Sequence, residues 1–463
     1  MKVSRGLIFV CWLASALMVH GAKVPELYQS LCASCHGKEM EGGLGSSLVD
    51  GEWIRSGDVD EIAAVIREGM PDRGMPAFGE SLSEEEIRGL VIFIQEKEAG
   101  ANPIAGPTPV GDEVFESKKE SFRLETIVDD LELPWSLKKL PDGQWLVSER
   151  GGRLLLIDPT SGERVAVEGI PEVYANGQGG LLDIGIPPNF EKTGWVYLSF
   201  SDPGSDGESS LTAIVRGRIQ GGQWTGEEVV FRADEEFYRR GRVHFGCRLV
   251  FVGDYLYFSI GDRGAMDQAQ DLSRPNGKIH RIFADGTIPP DNPFVDEPGA
   301  FPTIWTYGNR NPQGLAYDEV TGLLWETEHG PRGGDELNLI EKGLNYGWPL
   351  VTYGMNYNGT PMVARTSMPG MVDPVTYWTP SLAVCGLVMY RGEAFPNWNG
   401  SLLSGSLAKQ QLRRLEMKDD ELIEQELIVD HLGRLRDVFV DEDGIVYLLT
   451  NGPGRIVRMS PAE

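Results

Sequence analysis

From about Val114 to its C-terminus the chain keeps returning to one pattern. An apolar strand meets a turn of Gly, Asp, Asn or Pro, a second apolar strand follows, and an outgoing strand mixes basic and aliphatic residues. "LPDGQWLVSERGGRLLLID" shows it first, "LVFVGDYLYFSIGDRG" with "GKIHRIF" repeats it, and "VFVDEDGIVYLLTNGPGRIVRM" shows it last. "PPNFEKTGWVYLSFS", "LAYDEVTGLLWETEHG" and "FPNWNGSLLSGSL" are more worn copies. About six units at intervals of roughly 45 to 80 residues leave each one room for a four-stranded blade and its loops. Short antiparallel sheets repeated radially make a β-propeller, so the expected fold over 114–463 is an all-β six-bladed propeller. A pair of stacked sheets is the alternative, disfavoured because the motif recurs to the end of the chain.

The front of the chain is of another kind. Lys2 and Arg5 precede an almost wholly apolar run, Leu7 to Val19, and His20-Gly21-Ala22 supplies a cleavage site, so 1–22 reads as a secretion signal. That run is shorter than the about 20 residues of a membrane span. No span is expected after cleavage, Cys11 is lost with the signal, and the mature chain is expected in the periplasm or outside the cell. "LCASCHG" contains Cys32-Ala33-Ser34-Cys35-His36, the C-x-x-C-H of c-type haem attachment. The two thiols add to the haem vinyl groups and His36 ligates the iron. A redox dithiol or half a zinc site would not explain a histidine directly after the second cysteine.

His36 is the only histidine between Ala22 and the linker, so the iron's opposite face falls to a methionine. Met40 stands too close in sequence to reach around the ring. Met75, in "RGMPAFG", lies in a Gly-Met-Pro loop that resembles the axial loop of small class I cytochromes c, and is favoured over Met70. His/Met ligation raises the haem potential and makes the haem a good electron acceptor. Asp58 with Glu61, and Ser83 with Glu86, form capping-box patterns ahead of the apolar stripes Ile62, Val65, Ile66 and Ile87, Leu90, Val91, Ile94. Residues 23–98 are thus expected to form a small all-α cytochrome c domain, followed over 99–113 by a Pro/Gly linker.

A net charge of -27 argues against nucleic acid and anionic lipid, which need a basic face. It suits a protein that binds cations such as calcium, or one kept in solution by its charge alone. Against that background Arg310, Arg434 and Arg436 stand out in loop segments, and arginine forks suit carboxylates and phosphates. For any one of them surface salt bridging is the plainer reading. Arg434 and Arg436 sit two apart, so both point the same way from an extended segment.

His244, in "GRVHFGCRLV", has four possible uses: metal ligand, partner of Cys247, catalytic base or core ring. A zinc or iron site lacks ligands, because His280, His329 and His431 are scattered. A Cys/His nucleophile pair would imply acyl chemistry, and nothing supplies a recognisable oxyanion element. A core role loses ground because a fused haem implies an electron donor in the same chain.

Taken together, "ANGQGGLLDIGI", "RNPQGLAY", "EHGP", "DELNLI", "GLNYGWP" and "RLRDV" resemble the soluble quinoprotein glucose dehydrogenase family, in its aldose sugar dehydrogenase branch, over roughly Glu125 to Ser460. The resemblance implies a six-bladed propeller holding pyrroloquinoline quinone (PQQ) bridged to the protein by calcium. It makes His244 the general base, taking the hydroxyl proton while hydride passes from sugar C1 to quinone C5, and puts Arg310 against the quinone oxygens. Gln178 matches a glutamine beside cofactor and substrate. Asn311, Gln313, Arg434 and Arg436 match contacts to the quinone carboxylates and ring, and Gly330 and Pro331 match carbonyl ligands to calcium. Two positions depart. Val243 stands where the glucose dehydrogenase form has an acidic residue, and the cofactor lysine has only an approximate counterpart in Lys409, an ungapped match falling on Ala408.

The implied circuit runs from a sugar, or a related alcohol or aldehyde, to PQQ, to haem c, and out to a soluble cytochrome, copper protein or respiratory component. A calcium-dependent lactonase or a binding module carrying a cytochrome is the alternative. Cys247 and Cys385 fall where the family tends to show small residues. They are expected either to meet near the cofactor, as a disulfide or close pair, or to be two separate buried small side chains.

Overall fold

Each copy of the repeat folds into its own antiparallel sheet, and six such sheets close a ring. The computed structural model describes residues 23–101, 108 and 110–462. The secretion signal expected over 1–22 lies outside the described residues, as do 102–107 and 109 of the linker expected over 99–113. That linker is shorter than expected, since a helix runs on to Ala101 and a strand starts at Gly111. Blade 1 begins with Pro134–Lys139, blade 2 with Leu181–Gly185, blade 3 with Leu249–Val252, blade 4 with Pro312–Tyr317, blade 5 with Val384–Met389 and blade 6 with Leu435–Val440. These first strands touch one another in chain order, and the last touches the first, so they line the central channel.

The alternating side chains of each sheet explain how the ring holds. Six apolar clusters form, one in each seam between neighbouring blades, as Leu198 and Phe200 meet Leu146 and Leu154 between blades 1 and 2. Blade 6 is made from both parts of the propeller chain. Ser121–Val128 pairs with Gly454–Pro461, Leu124 opposite Met459, and Gly111–Glu116 adds a fifth strand outside.

One buried side chain ties the channel together. Arg248, just ahead of the first strand of blade 3, reaches a residue of the inner strand of every other blade. Its Nη1 lies 2.9 Å from Asp437 and 3.4 Å from Asp183. Its Nε donates to the Gln313 carbonyl at 2.7 Å, Nη2 donates to the Arg436 carbonyl at 2.8 Å and lies 3.8 Å from Cys385 Sγ, and the guanidinium sits 4.2 Å from the centre of the Trp135 ring.

The segment ahead of the propeller is helical, as its capping boxes predict: α1 (Val24–Leu31), α2 (Ala33–His36), α3 (Val59–Glu68) and α4 (Glu84–Ala101). Asp58 accepts the Glu61 amide, and Ser83 and Glu86 exchange side-chain-to-backbone bonds at 2.9 and 3.2 Å. In α4 the expected stripe is buried, but Ile92 and Phe93 are buried too. Phe93 packs edge to face on Tyr28 of α1, 5.9 Å between ring centres, while Ile92 lies beside Gly333 of the propeller, whose Met355 enters the same apolar cluster. Among the described residues no helix is long and apolar enough to cross a membrane.

Candidate active site and haem cleft

His244 is held out of the sheet by a contorted backbone. His244, Gly246 and Cys247 have φ of 53, 65 and 87 degrees, a left-handed turn just before the inner strand of blade 3. Gly246 is required there, since a Cβ would lie 2.9 Å from the Ser259 carbonyl oxygen. The turn aims the imidazole at Asp262, with Nδ1 to Oδ1 at 2.6 Å, while the His244 amide donates to Gln178 Oε1 at 2.7 Å. Asp262 is fully buried and also accepts the Gly264 amide and Trp348 Nε1, at 2.7 and 2.8 Å. A carboxylate so fixed demands a proton on Nδ1, which leaves Nε2 as the free base.

The charges agree with that assignment. Burial lowers the His244 pKa, the hydrogen bond to Asp262 partly opposes it, and the nearby Arg310 cation lowers it again, so the ring is neutral near pH 7. Burial raises the Asp262 carboxyl, yet the His244 bond and the Arg310 charge outweigh it and leave its pKa below the ordinary value.

Beside this pair a cavity of about 240 Å³ opens at the channel mouth. Gln178, Asn311, Gln313, Arg434 and Arg436, all singled out in the sequence, line it, together with Arg150, Trp135 and Tyr357, which were not. Arg436 Nη1 donates to Gln313 Oε1 at 2.8 Å, and Arg310 Nη1 donates to the carbonyls of His329 and Gly330 at 2.8 and 2.7 Å. The Nε–H groups of both arginines are buried without a protein acceptor. An unpaired buried donor is costly, and burial together with the charges of Arg248, Arg434 and Arg150 lowers the Arg436 pKa, with only Cys385 opposing. An anion with several oxygens would answer all of this.

Behind Arg310 lies a layer of buried acids. Glu328 accepts the backbone amides of Arg310 and Asn311, and Asn338 Nδ2 donates to Glu326 and Glu336. Burial, then repulsion from Glu328, pushes the Glu326 carboxyl well up; burial, then repulsion from Glu336, does the same to Glu328; and burial pushes Glu336 to about 8. Among the described residues no group of three or more His, Cys, Asp or Glu has the geometry to hold a metal ion. A cation here would therefore lean on backbone carbonyls, and that of Gly330 already faces the Arg310 guanidinium.

In the helical part an apolar cleft is lined by Cys32, His36, Met70 and Met75. His36 Nδ1 pairs with the Ser46 carbonyl at 2.8 Å, which orients the ring and frees Nε2 for a metal. Met70 and Met75 are joined by backbone hydrogen bonds, so one tight turn presents both. Met40 is buried in the core instead.

Residues 131–458 match the family model described as glucose/sorbosone dehydrogenase. The chain belongs to the glucose/sorbosone dehydrogenase family. Residues 21–94 separately match a model described as cytochrome c oxidase, cbb3-type, subunit III. The aldose sugar dehydrogenase of Escherichia coli is 40% identical over 349 residues, which cover 74% of this chain and 93% of that one. Quinoprotein glucose dehydrogenase B of Acinetobacter calcoaceticus is 29% identical over 430 residues, 74% of this chain and 88% of its own. The PQQ-bound aldose sugar dehydrogenase of Streptomyces coelicolor has a TM-score of 0.61 at 29% identity, over 73% of this chain and 98% of that one. This glucose/sorbosone dehydrogenase is thus an oxidoreductase with a cytochrome c domain in front of its propeller.

One expectation changes and one open alternative is decided. Lys409 is half-buried and not among the cavity's lining residues, where Leu407 forms the wall and Ala408 is exposed. His244 and Arg310 are not in the wall either, which their neighbours Phe245, Gly246 and Asn311 supply. Cys247 and Cys385 form no disulfide. The Cys247 thiol faces Thr212 Oγ1 and the Phe245 carbonyl, at 3.3 and 3.2 Å, whereas Cys385 Sγ lies 3.0 Å from the Arg436 carbonyl oxygen. The turn ahead of blade 3 and the inner strand of blade 5 send their thiols into different surroundings, and burial pushes Cys247 up to about 12. Sequence reasoning missed Asp262 and Arg150. Asp262 stands in "SIGDRG", the end of one copy of the repeat, and its acid was the available signal.

Proposed function

We propose that the chain oxidises an aldose at its C1 hydroxyl to the lactone, using PQQ in the propeller cavity and the haem of the helical domain as successive electron acceptors. The observation that carries this reading is the His244–Asp262 pair next to a cavity whose wall includes Arg436, with an Nε–H that lacks an acceptor, and whose lining residues His329 and Tyr357 neighbour Arg310. PQQ, when bound, supplies a hydride acceptor and three carboxylates. Arg434, Arg436, Asn311 and Gln313 hold such an anion, with Arg150 and Gln178 beside them. Gly330 and Pro331 would offer carbonyl oxygens to calcium, a hard cation, the Gly330 oxygen only once Arg310 Nη1 gives it up.

His244 Nε2 takes the substrate hydroxyl proton as the C–H bond breaks, and Asp262 stabilises the imidazolium that forms. Arg310 keeps positive charge where negative charge develops. Cys32 and Cys35 carry the haem, and His36 and Met75 ligate its iron. Export to the periplasm follows from the signal read in 1–22, and electrons leave to an external one-electron acceptor.

Adding PQQ, calcium and an aldose to haem-loaded apoprotein should convert the ferric haem spectrum to the ferrous one. No reduction by any sugar or alcohol, with dithionite still effective, defeats the reading. Absence of PQQ uptake in equilibrium dialysis with calcium would move the chain to the lactonase or binding class.

A further inference from the structure

Two loops of blade 4 touch the cavity with one face and the haem domain with the other. The first, 329–334, carries Gly330, whose carbonyl accepts from Arg310, and two residues later Arg332. Arg332 forms a forked pair with Glu96 of α4, Nε to both carboxylate oxygens at 2.9 Å and Nη2 to Oε2 at 2.6 Å. The second loop, within 340–375, carries Tyr357, whose ring lies on the cavity wall 6.0 Å from the Arg310 guanidinium. Two residues earlier, Met355 is 1% exposed because it is seated among Val24, Tyr28 and Leu90 of the helical core. Two residues later, the Gly359 carbonyl accepts the Val24 amide at 2.8 Å.

The loops are also paired to each other, Arg332 and Met355 exchanging backbone hydrogen bonds at 3.0 and 2.8 Å. Arg88 of α4 adds a cation over the Tyr353 ring, 5.2 Å from its centre, and Tyr353 stacks on Tyr377 of the same blade at 3.8 Å. Long loops without regular structure lose much entropy when ordered. Here the ordering contacts on the outer side come from the helical domain.

We propose that the haem domain is a positioning element of the cofactor cavity: by gripping Arg332, Met355 and Gly359 it fixes the loops that present Gly330, Pro331 and Tyr357. Affinity for the cofactor then depends on a contact made on the far side of both loops. The cofactor half of this rests on the function proposed above; the bracing of the loops does not. Arg332 and Met355 act through their neighbours and touch no substrate.

The test uses the full haem-loaded chain with Glu96→Ala, Arg332→Ala, and the charge swap Glu96→Arg with Arg332→Glu. In the absence of cofactor, hydrogen exchange at the Arg332 and Met355 amides should rise about tenfold or more in the single variants and return towards wild type in the swap. PQQ affinity at fixed calcium, by equilibrium dialysis, should fall about tenfold in the singles and recover in the swap. Unchanged exchange overturns the bracing, and faster exchange with wild-type PQQ affinity overturns the coupling. A wild-type chain that takes up no PQQ, while exchange responds as stated, overturns the proposed function and leaves the bracing standing.

Discussion

Arg248 Nη1 lies 2.9 Å from Asp437 Oδ1, a buried ion pair at the axis of the propeller. Burial alone would lower the Arg248 pKa, but Asp437 and Asp183 more than reverse that and raise it. The charge is therefore permanent and its partners depend on it. Removing one member of a buried pair leaves the other uncompensated, at a cost of about 3–5 kcal/mol. Arg248→Met should lower the unfolding free energy by that amount in urea titration, whereas Arg458→Met, at an exposed pair with Glu125, should change it by less than about 1 kcal/mol.

His244 works as a base only when neutral. Its pKa is lowered from 6.5, so the acid limb of kcat/KM should lie below that value. Asp262→Asn removes the one hydrogen bond that raises it and releases the Nδ1 proton from its anchor. That variant should lose about 10²–10⁴-fold in sugar-driven haem reduction. Dithionite reduction should be untouched. A variant retaining wild-type rate would remove Asp262 from the mechanism.

Arg150 sits in the cavity wall, and burial and the Arg434 charge lower its pKa. A cation in that position is made comfortable by an anionic ligand. Arg150→Ala should weaken PQQ uptake by about 10–100-fold in dialysis, the range of a charged hydrogen bond.

Cys247 and Cys385 are both buried. Neither should react with iodoacetamide in the native haem-loaded protein, and both should react once it is denatured without reductant. Mass spectrometry of the unreduced chain showing them joined would contradict their placement.

His280 is enclosed, its ring nitrogens paired with Thr303 Oγ1 and the Pro275 carbonyl at 2.8 and 2.9 Å. Burial takes its pKa from 6.5 to about 3. Below pH 6.5 the unfolded chain binds a proton that the folded chain refuses, so stability falls as pH falls from 6.5 towards 3. His280→Gln should reduce the stability lost between pH 7 and pH 5 by about 2 kcal/mol, measured by urea midpoints at both values.

The blades were legible because each is a local event, a strand and its turn within a few tens of residues. Cys32, Cys35 and His36 stood out because they are adjacent in sequence, and Cys32 and His36 line one apolar cleft. The cavity was legible where a loop announced itself by unusual residues, as with Arg434 and Arg436. It was not legible where an ordinary turn such as that of Arg150 was carried into place by the closing of the ring. Asp262 lies 18 residues from His244, and only the left-handed turn at 244–247 brings their side chains together. The cysteines mark a different limit, since their places in blades 3 and 5 say nothing of where a thiol points. The contact of Arg332 with Glu96 spans 236 residues and two domains, and periodicity holds no trace of it.

The pairing of Ser121–Val128 with Gly454–Pro461 has a consequence for how the chain comes to be folded. Five blades are each contiguous in sequence, so they can form in chain order. The sixth cannot: its strand Ser121–Val128 must wait for residues more than 300 positions later. Until then the apolar seams on either side of the gap stay open, and the haem domain, already complete, is tethered to an unfinished ring. The slowest and most aggregation-exposed moment in the life of this protein should thus be the last one, and the final strand is the latch that ends it.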